Sequence, residues 1–314
     1  MDILEINQIL SFIESDFYCE KKLDIESGQR FVFDCRKKNE SEKKYILKIS
    51  QNISPDTIAR LQREIKILSE HSAKFLPKIH EHSYFSMDNL IAFFDRQNKV
   101  IDQNYVPFFY SVEDYIENIS WDEFRKYINN ELDIIVLLDS LFNALFFLWE
   151  NKIIHRDIKQ NNILLLPDKT FVIIDFGVAK SLNFGTCDIT SIGAKAPCTY
   201  IYAAPEQYEG NNNNEITCKC DQYSIGVTIY KFLTNQFPFG DPREIGENTY
   251  FNNVKNNSHL NFTNSYLTIC EQLKKFILKL IEYQPYKRFR TIKDIQEELR
   301  KLRSNYENSS SSRS

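Results

Sequence analysis

The sequence predicts an α+β fold, in which a sheet-rich first third is followed by a mainly helical remainder. Short segments rich in β-branched and aromatic residues occupy the first third. From about Ser111, longer apolar segments of helical length take over. The chain has 314 residues, 42% of them hydrophobic and 26% charged, which is ordinary for a globular protein. That length allows two hydrophobic cores or one large domain.

A hairpin and a helix open the sheet-rich part. The segments FVFDCR (31–36) and KKYILKIS (43–50) flank the polar loop NESE, which predicts two antiparallel strands. A helix is predicted over 55–70 because it starts at a proline and its apolar residues recur on one face. Those residues are Ile58, Leu61, Ile65 and Leu68.

Two further apolar runs precede the helical part of the chain. They are KIHEHSYF (78–85) and NLIAFF (89–94), and both are expected to complete a small sheet. The segment 96–107 is a polar connection with no assigned structure.

Three buried helices are predicted in the remainder, over 131–150, 221–234 and 271–283. The most apolar stretch, 134–149, is interrupted by polar residues and is too short to span a bilayer comfortably. We therefore expect a buried helix there and no membrane span. The serine-rich residues 304–314 are expected to form a disordered tail.

Charge and cysteine usage limit the partners and the compartment. The net charge of -4 gives no reason to expect nucleic-acid binding. Seven irregularly spaced cysteines without a secretory signal predict a reducing, cytoplasmic location. Secretion without a cleavable signal is the alternative. The pairs Cys218/Cys220 and His80/His82 lack further metal ligands and are interpreted as structural.

One polar run lies between two apolar segments, in IIHRDIKQNNILLL (153–166). A second acidic position, Asp175, follows in VIIDFG after two short strand-like segments around a Pro-Asp-Lys turn. A hairpin of that size would bring Asn162 and Asp175 together at its open end. An amide and a carboxylate are oxygen ligands suited to Mg²⁺ that holds a phosphate.

These motifs resemble the eukaryotic-type protein kinases, with serine/threonine kinases, bacterial ones among them, as the nearest type. HRDIKQNN followed by DFG is similar to their catalytic and metal-binding loops. TYIYAAPE (199–206) resembles the end of an activation segment, and DQYSIG (221–226) resembles the start of a buried helix. The resemblance covers roughly residues 20–303.

The resemblance implies catalytic roles for five residues. Asp157 would orient or accept the proton of the attacking hydroxyl, and Lys159 would neutralise the γ-phosphate. Thr199 would bridge these two residues. Asn162 and Asp175 would hold the metal ions. The cofactors are therefore expected to be ATP and Mg²⁺, and the partners to be protein substrates.

The resemblance also implies an ATP site. Lys48 on the third strand would pair with Glu64 on the following helix and contact the α- and β-phosphates. The other residues expected at the nucleotide are Ile25, Gly28, Phe33, Ile46 and Leu164.

A bilobal protein kinase fold follows from the same resemblance, with ATP bound between a small antiparallel-sheet lobe and a mainly helical lobe. His155 and Phe176 are expected to pack with Leu68 in a stack that joins the lobes. Asp221 should anchor the catalytic loop. The expected boundaries are an N-terminal extension (1–20), a kinase domain (21–303) with its N-lobe (21–109) and C-lobe (110–303), and the tail (304–314).

Structural ion pairing and regulation complete these expectations. Glu206 should form a buried ion pair with Arg288. Arg156 resembles the arginine of kinases whose activation segment is ordered by phosphorylation. The candidate phosphorylation sites are Thr186, Thr190 and Ser191.

Three departures from the family pattern leave an alternative open. Only Gly28 remains of the glycine-rich loop, in ESGQRFVF (26–33). Ile46 stands where the family has alanine, and Gln160 and Asn161 replace the usual Pro-Glu. We expect Ser/Thr phosphorylation, including autophosphorylation. The alternative is a pseudokinase scaffold that binds nucleotide weakly or not at all and acts through protein partners.

A third interpretation is a small-molecule phosphotransferase of the kinase-like superfamily. Such enzymes usually lack the APE segment and its distant arginine. Both are present, as Ala204-Pro205-Glu206 and Arg288, which favours a protein substrate.

Overall fold

The computed structural model describes residues 2–23, 30–51, 54–100, 105–181, 200–209, 216–258 and 261–311. It divides into two compact units, Met1–Glu117 and Asn118–Ser314. Six of the residues predicted from the sequence lie outside the described ranges. They are Ile25, Gly28, Thr186, Thr190, Ser191 and Thr199.

Unit 1 is built on a five-stranded antiparallel sheet of order β1-β2-β3-β5-β4. Its strands are β1 (Phe17–Leu23), β2 (Arg30–Lys37), β3 (Glu40–Gln51), β4 (Ile79–Phe85) and β5 (Phe108–Asp114). The predicted hairpin is confirmed as β2 and β3, with Phe33 opposite Leu47 and Val32 opposite Lys48. The strand predicted over 78–85 is confirmed as β4.

The prediction of a strand over 89–94 is wrong, because this run belongs to helix α3 (Met87–Arg96). Ser86 starts this helix by accepting a hydrogen bond from the Asn89 backbone N–H. The helix buries Leu90, Phe93 and Phe94, which recur at helical spacing. The prediction failed because a short apolar run fits a buried strand and a buried helix equally well.

The fifth strand is instead β5, which lies between β3 and β4 and is buried on both faces. Its segment FFYSVED therefore lacks the alternation that marks a half-exposed strand. The first third thus has the predicted sheet, but two of its strands, β1 and β5, were not assigned from the sequence.

Two further helices pack in unit 1. Helix α1 (Ile3–Phe12) buries Ile6, Ile9 and Leu10 in the core of this unit. Helix α2 (Pro55–Glu70) has the predicted bounds, and Ser54 caps its first turn. The residues 1–20, which the sequence separates as an extension, therefore include a helix with a buried face.

In unit 2, α4 is Trp121–Phe124, and the core helix is α5 (Glu131–Glu150), as predicted. Asn130 and Asp133 form a reciprocal capping box at its start. Burial opposes ionisation of Asp133, but hydrogen bonds from the Asn129 backbone and from Lys169 hold its pKa below the usual 3.8.

Among the described helices, α5 has the length and hydropathy of a membrane span, and 61% of its most apolar stretch is buried within the protein. That burial is typical of a core helix.

Short strands and further helices complete unit 2. The strands are β6 (Ile153–Ile154), β7 (Ile163–Leu165), β8 (Phe171–Ile173) and β9 (Lys180–Ser181). The helices are α6 (Glu206–Glu209), α7 (Lys219–Thr234), α8 (Pro242–Ile245), α9 (Glu247–Lys255), α10 (Glu271–Leu280) and α11 (Ile292–Ser311). The helices predicted over 221–234 and 271–283 thus correspond to α7 and α10.

The last helix differs from the expected tail, because α11 continues through residue 304 to Ser311. The Arg303 guanidinium lies 3.0 Å from the Glu307 carboxylate, one helical turn further on. Such pairs support a helix in a polar segment that composition alone would assign to disorder.

Candidate active site

The catalytic-loop segment lies between β6 and β7, and Asp221 of α7 holds its backbone. Asp221 is fully buried, and its carboxylate accepts hydrogen bonds from the backbone N–H groups of His155 (3.0 Å) and Arg156 (2.9 Å). It also accepts from the indole N–H of Trp149 at 2.9 Å. The predicted anchoring role of Asp221 is therefore confirmed, since three donors satisfy this buried charge.

Arg156 carries a backbone conformation that few non-glycine residues adopt. Its φ of 71° lies in the left-handed region, and the neighbouring contacts hold it there. Gln207, buried in α6, donates from Nε2 to the Arg156 carbonyl at 2.8 Å. The Gln207 Oε1 accepts from the Ala204 N–H at 2.9 Å. This amide therefore joins the APE segment to the catalytic loop.

Asp157, Lys159 and Asn162 form one hydrogen-bonded group. Lys159 Nζ lies 2.8 Å from Asp157 Oδ2, and Asn162 Nδ2 donates to the same oxygen at 2.9 Å. Asn162 Nδ2 also donates to the Asp157 carbonyl at 2.8 Å. The other carboxylate oxygen of Asp157, Oδ1, accepts a hydrogen bond from neither Lys159 Nζ nor Asn162 Nδ2. The group is mostly buried, since the Asp157 side chain is 14% exposed.

The surroundings of Asp157 act on its carboxyl in opposite directions. Burial raises its pKa above the usual 3.8, while the Lys159 charge lowers it and the Asp175 charge raises it. The net pKa is raised. A carboxylate with a raised pKa is a better proton acceptor than one in water.

Asp175 joins this group through the hairpin of β7 and β8. Ile163 pairs with Ile173, and the Ile174 N–H donates to the Asn162 carbonyl at 3.0 Å. Asp175 follows directly, with a left-handed φ of 66°. The hairpin thus brings the open ends of both strands together, as the sequence predicts.

His155 and Phe176 pack against each other within unit 2, with their ring centroids 4.8 Å apart. His155 Nδ1 accepts from the Asp157 N–H at 3.3 Å, so Nε2 carries the proton toward the Ile174 carbonyl at 3.2 Å. The ring therefore links the catalytic loop to the strand that leads to Asp175. Their expected packing with Leu68 involves unit 1 and stays a prediction.

The oxygen donors of Asn162 and Asp175 fit a magnesium ion that is also held by a phosphate. The amide nitrogen of Asn162 donates to Asp157, so Oδ1 is the atom of this side chain that would bind a metal ion. In the described ranges, no three His, Cys, Asp or Glu side chains form a metal cluster. Mg²⁺ commonly takes one or two protein ligands and completes its shell with substrate phosphates and water.

In unit 1, β3 presents Lys48 and Ile46 on one face of the sheet. Val32 of β2 pairs with Lys48, and Ser111 of β5 pairs with it from the other side. Phe33, which the sequence places at the nucleotide, pairs with Leu47 and points to the opposite face, where it is fully buried. As a correction, Val32 replaces Phe33 on the Lys48 face, because successive strand residues point to opposite sides.

The expected ion pair between Lys48 and Glu64 stays a prediction. Lys48 has an ion-pair partner that the kinase resemblance does not imply. Its ammonium lies 2.6 Å from Glu113 Oε2, a carboxylate on β5 that the sequence analysis did not assign. Glu64 of α2 is also buried and lines the same small cavity as Lys48 and Glu113. Leu164, in unit 2, is the half-buried residue of β7 between the buried Ile163 and Leu165.

Comparison with known proteins adds an independent observation. The family model described as "Protein kinase domain" matches residues 27–299. The chain belongs to the protein kinase family. Serine/threonine-protein kinase D of Synechocystis sp. is 28% identical over 264 residues, 81% of this chain and 44% of that protein. Serine/threonine-protein kinase PrkC of Bacillus subtilis is 24% identical over 258 residues, 79% of this chain and 37% of that protein. The chain thus spans less than half the length of either relative.

The kinase domain also contains the predicted pair of Glu206 and Arg288. The guanidinium binds both carboxylate oxygens, at 2.6 and 2.9 Å, and its side chain is fully buried. It also donates to three backbone carbonyls, those of Lys219, Glu282 and Tyr283. This confirmed pair fixes the APE segment to the helical part of unit 2.

Sequence reasoning missed Gln207, Val32, Ser111 and Glu113. The signal for Gln207 was its place directly after the APE motif. The other three required the register of the sheet, which no local motif specifies.

Proposed function

We propose that this chain is a protein kinase that transfers the γ-phosphoryl group of ATP to Ser and Thr hydroxyls of proteins, including its own. The observation that carries this proposal is the group of Asp157, Lys159 and Asn162, with Asp175 on the neighbouring strand end. Phosphoryl transfer depends mainly on positioning and charge neutralisation, and this group supplies both.

Each residue has a physical task in this proposal. Asp157 accepts the hydrogen bond of the attacking hydroxyl and takes its proton, which its raised pKa favours. Lys159 neutralises charge on the transferred group, and Lys48 holds the other phosphates of ATP. Mg²⁺, when bound by Asn162 and Asp175, offsets the negative charge of the phosphates.

The acceptor class rests on Lys159, on Thr199 and on the serine/threonine kinases among the relatives. Thr199 would bridge Asp157 and Lys159 beside the acceptor hydroxyl. Thr186, Thr190 and Ser191 remain the proposed sites of autophosphorylation. A reducing, cytoplasmic location is proposed because the five cysteines in the described ranges are free thiols.

The test is transfer of labelled γ-phosphate from ATP and Mg²⁺ to the protein itself and to myelin basic protein. Asp157→Asn keeps the side-chain shape and removes the base. Asp122→Asn is the matched control, because the Asp122 side chain is 83% exposed and lies on α4. Phosphosites are mapped by mass spectrometry.

We expect transfer by the wild type and by the Asp122 variant, and a loss of about 100-fold or more in the Asp157 variant. Phosphate on Ser and Thr would support the proposed acceptor class, and phosphate only on Tyr would refute it. ATP binding without transfer by the wild type would refute the enzyme and favour the pseudokinase scaffold. In Asp175→Ala, substantial Mg²⁺-dependent transfer would refute the metal assignment.

A further inference from the structure

The Lys48 face of the sheet in unit 1 holds an acidic residue that the kinase motifs do not account for. Glu113 lies two residues after Ser111 on β5, so both side chains share the face that carries Lys48 and Ile46. Ile46 is directly opposite Glu113, and Lys48 is directly opposite Ser111. Lys48 therefore reaches Glu113 along a cross-strand diagonal, which is within range for a long side chain.

Both oxygens of the Glu113 carboxylate are engaged. Oε2 lies 2.6 Å from Lys48 Nζ, and Oε1 accepts the Ser111 hydroxyl hydrogen bond at 2.8 Å. The Glu113 side chain is 4% exposed, whereas that of Lys48 is 21% exposed. The carboxylate is thus fixed inside the sheet, and the ammonium retains access to solvent.

Glu64, the partner that the family resemblance implies, reaches the same cavity from α2. Two buried carboxylates therefore lie near one ammonium. Two ionised carboxylates in a buried site repel each other, and the positive charge of the Lys48 ammonium offsets that repulsion. Glu113 lies on the strand that is hydrogen-bonded to β3, so its distance from Lys48 is set by sheet geometry rather than by the placement of a helix.

We propose that Glu113, oriented by Ser111, is a positioning residue that fixes the Lys48 ammonium for binding the phosphates of ATP. This inference rests on the proposed function for its ATP-binding part. It assigns to β5 the carboxylate that sets the position of Lys48.

The experiment measures the affinity for a non-hydrolysable ATP analogue with Mg²⁺ by titration calorimetry, and the KM for ATP and kcat by the transfer assay. Glu113→Gln removes the charge and keeps the shape. Ser111→Ala keeps the charge and removes only the hydrogen bond that orients it. Asp114→Asn is the matched control, because Asp114 is the next residue on β5 and pairs with His80 and Lys43.

We expect Glu113→Gln to raise both the Kd of the analogue and the KM for ATP by about tenfold, since hydrogen bonds between charged groups are the strong ones. The change in kcat should be smaller. Ser111→Ala should shift the Kd in the same direction by about threefold, because it removes the hydroxyl hydrogen bond that orients the carboxylate and keeps the carboxylate charge. The Asp114 variant should match the wild type. In a Lys48→Met background, Glu113→Gln should add no further loss of affinity, since Glu113 acts through Lys48.

Three results would overturn the proposal. Tighter binding in Glu113→Gln would mean that Glu113 withholds Lys48 from ATP. Unchanged binding in that variant, together with a loss in Glu64→Gln, would make Glu64 the positioning residue. A loss of equal size with and without Lys48 would mean that Glu113 does not act through the lysine.

Failure of the proposed function has a separate signature. A wild type that binds no ATP analogue would refute that function and, with it, the ATP-binding role of Glu113. The ion pair is then tested by urea unfolding of Lys48→Met, Glu113→Gln and the double variant, from which the coupling between the two residues is calculated. Coupling of about tenfold in the unfolding equilibrium constant would support the pair, and additive effects would refute it.

Discussion

Replacing Arg288 with methionine should lower the free energy of unfolding of unit 2 by about 3–5 kcal/mol. The guanidinium is fully buried, and the Glu206 side chain that it binds is only 10% exposed. The variant leaves that carboxylate without its cation and removes the donors from the carbonyls of Lys219, Glu282 and Tyr283. These losses belong to one side chain, so their free energies cannot be added. The expected destabilisation is therefore the cost of leaving the Glu206 charge buried without a partner.

Urea unfolding followed by tryptophan fluorescence measures this effect. The chain has two tryptophans, Trp121 and Trp149, and both belong to unit 2. Arg303→Met is the matched control, because the Arg303 side chain is 58% exposed and pairs with Glu307 on the surface of α11. The control should change the free energy of unfolding by no more than about 0.5 kcal/mol.

A second variant separates loss of charge balance from loss of packing. Adding Glu206→Gln to Arg288→Met removes the stranded carboxylate and should recover part of the lost stability. Equal unfolding midpoints for the Arg288 and Arg303 variants would refute the reasoning. So would a double variant that is less stable than Arg288→Met alone.

Three further predictions concern other parts of unit 2. Asp133→Asn should cost about 1 kcal/mol at neutral pH. Because the folded pKa of Asp133 lies below the usual 3.8, its contribution is present above that pH and is lost as the pH falls through the folded pKa. Urea unfolding as a function of pH should therefore show the difference from wild type vanishing in acid, and a constant difference would contradict the capping role. Gly226→Ala should cost about 1–3 kcal/mol in the same assay, since the new Cβ would lie 2.6 Å from Ile281 Cγ2, and a neutral result would show that α7 can shift. Asp221→Asn should lower kcat by about 100-fold through misplacement of the catalytic loop, and an unchanged kcat in the transfer assay would contradict that.

Sequence alone predicted local arrangements where a motif fixes both residue type and spacing. The hairpin that follows Asn162 and the ion pair of Glu206 with Arg288 are examples, because short turns and charged partners leave a local signature. The structure bears out the same reasoning for Asp221 as the anchor of the catalytic loop.

The register of the sheet could not be predicted from the sequence, because it depends on pairing between distant segments. Phe33 and Val32 are equally apolar neighbours, and only the pairing of Val32 with Lys48 decides which one faces the lysine. Glu113 could not be assigned while its strand was unrecognised. The run NLIAFF was misplaced because a short apolar segment suits a strand and a buried helix equally well.

Unit 1 includes α1 and β1, which lie outside the part of the chain that matches the family model. The family match begins at residue 27, after both α1 and β1 have ended. A chain shortened to that point would lose the buried side chains of α1 and would turn β2 into the outer strand of its sheet. An outer strand with unpaired N–H and C=O groups readily recruits strands from other molecules. In the full sheet, β1 covers this edge of β2, so a segment that the family signature leaves out completes the hydrogen bonding of β2.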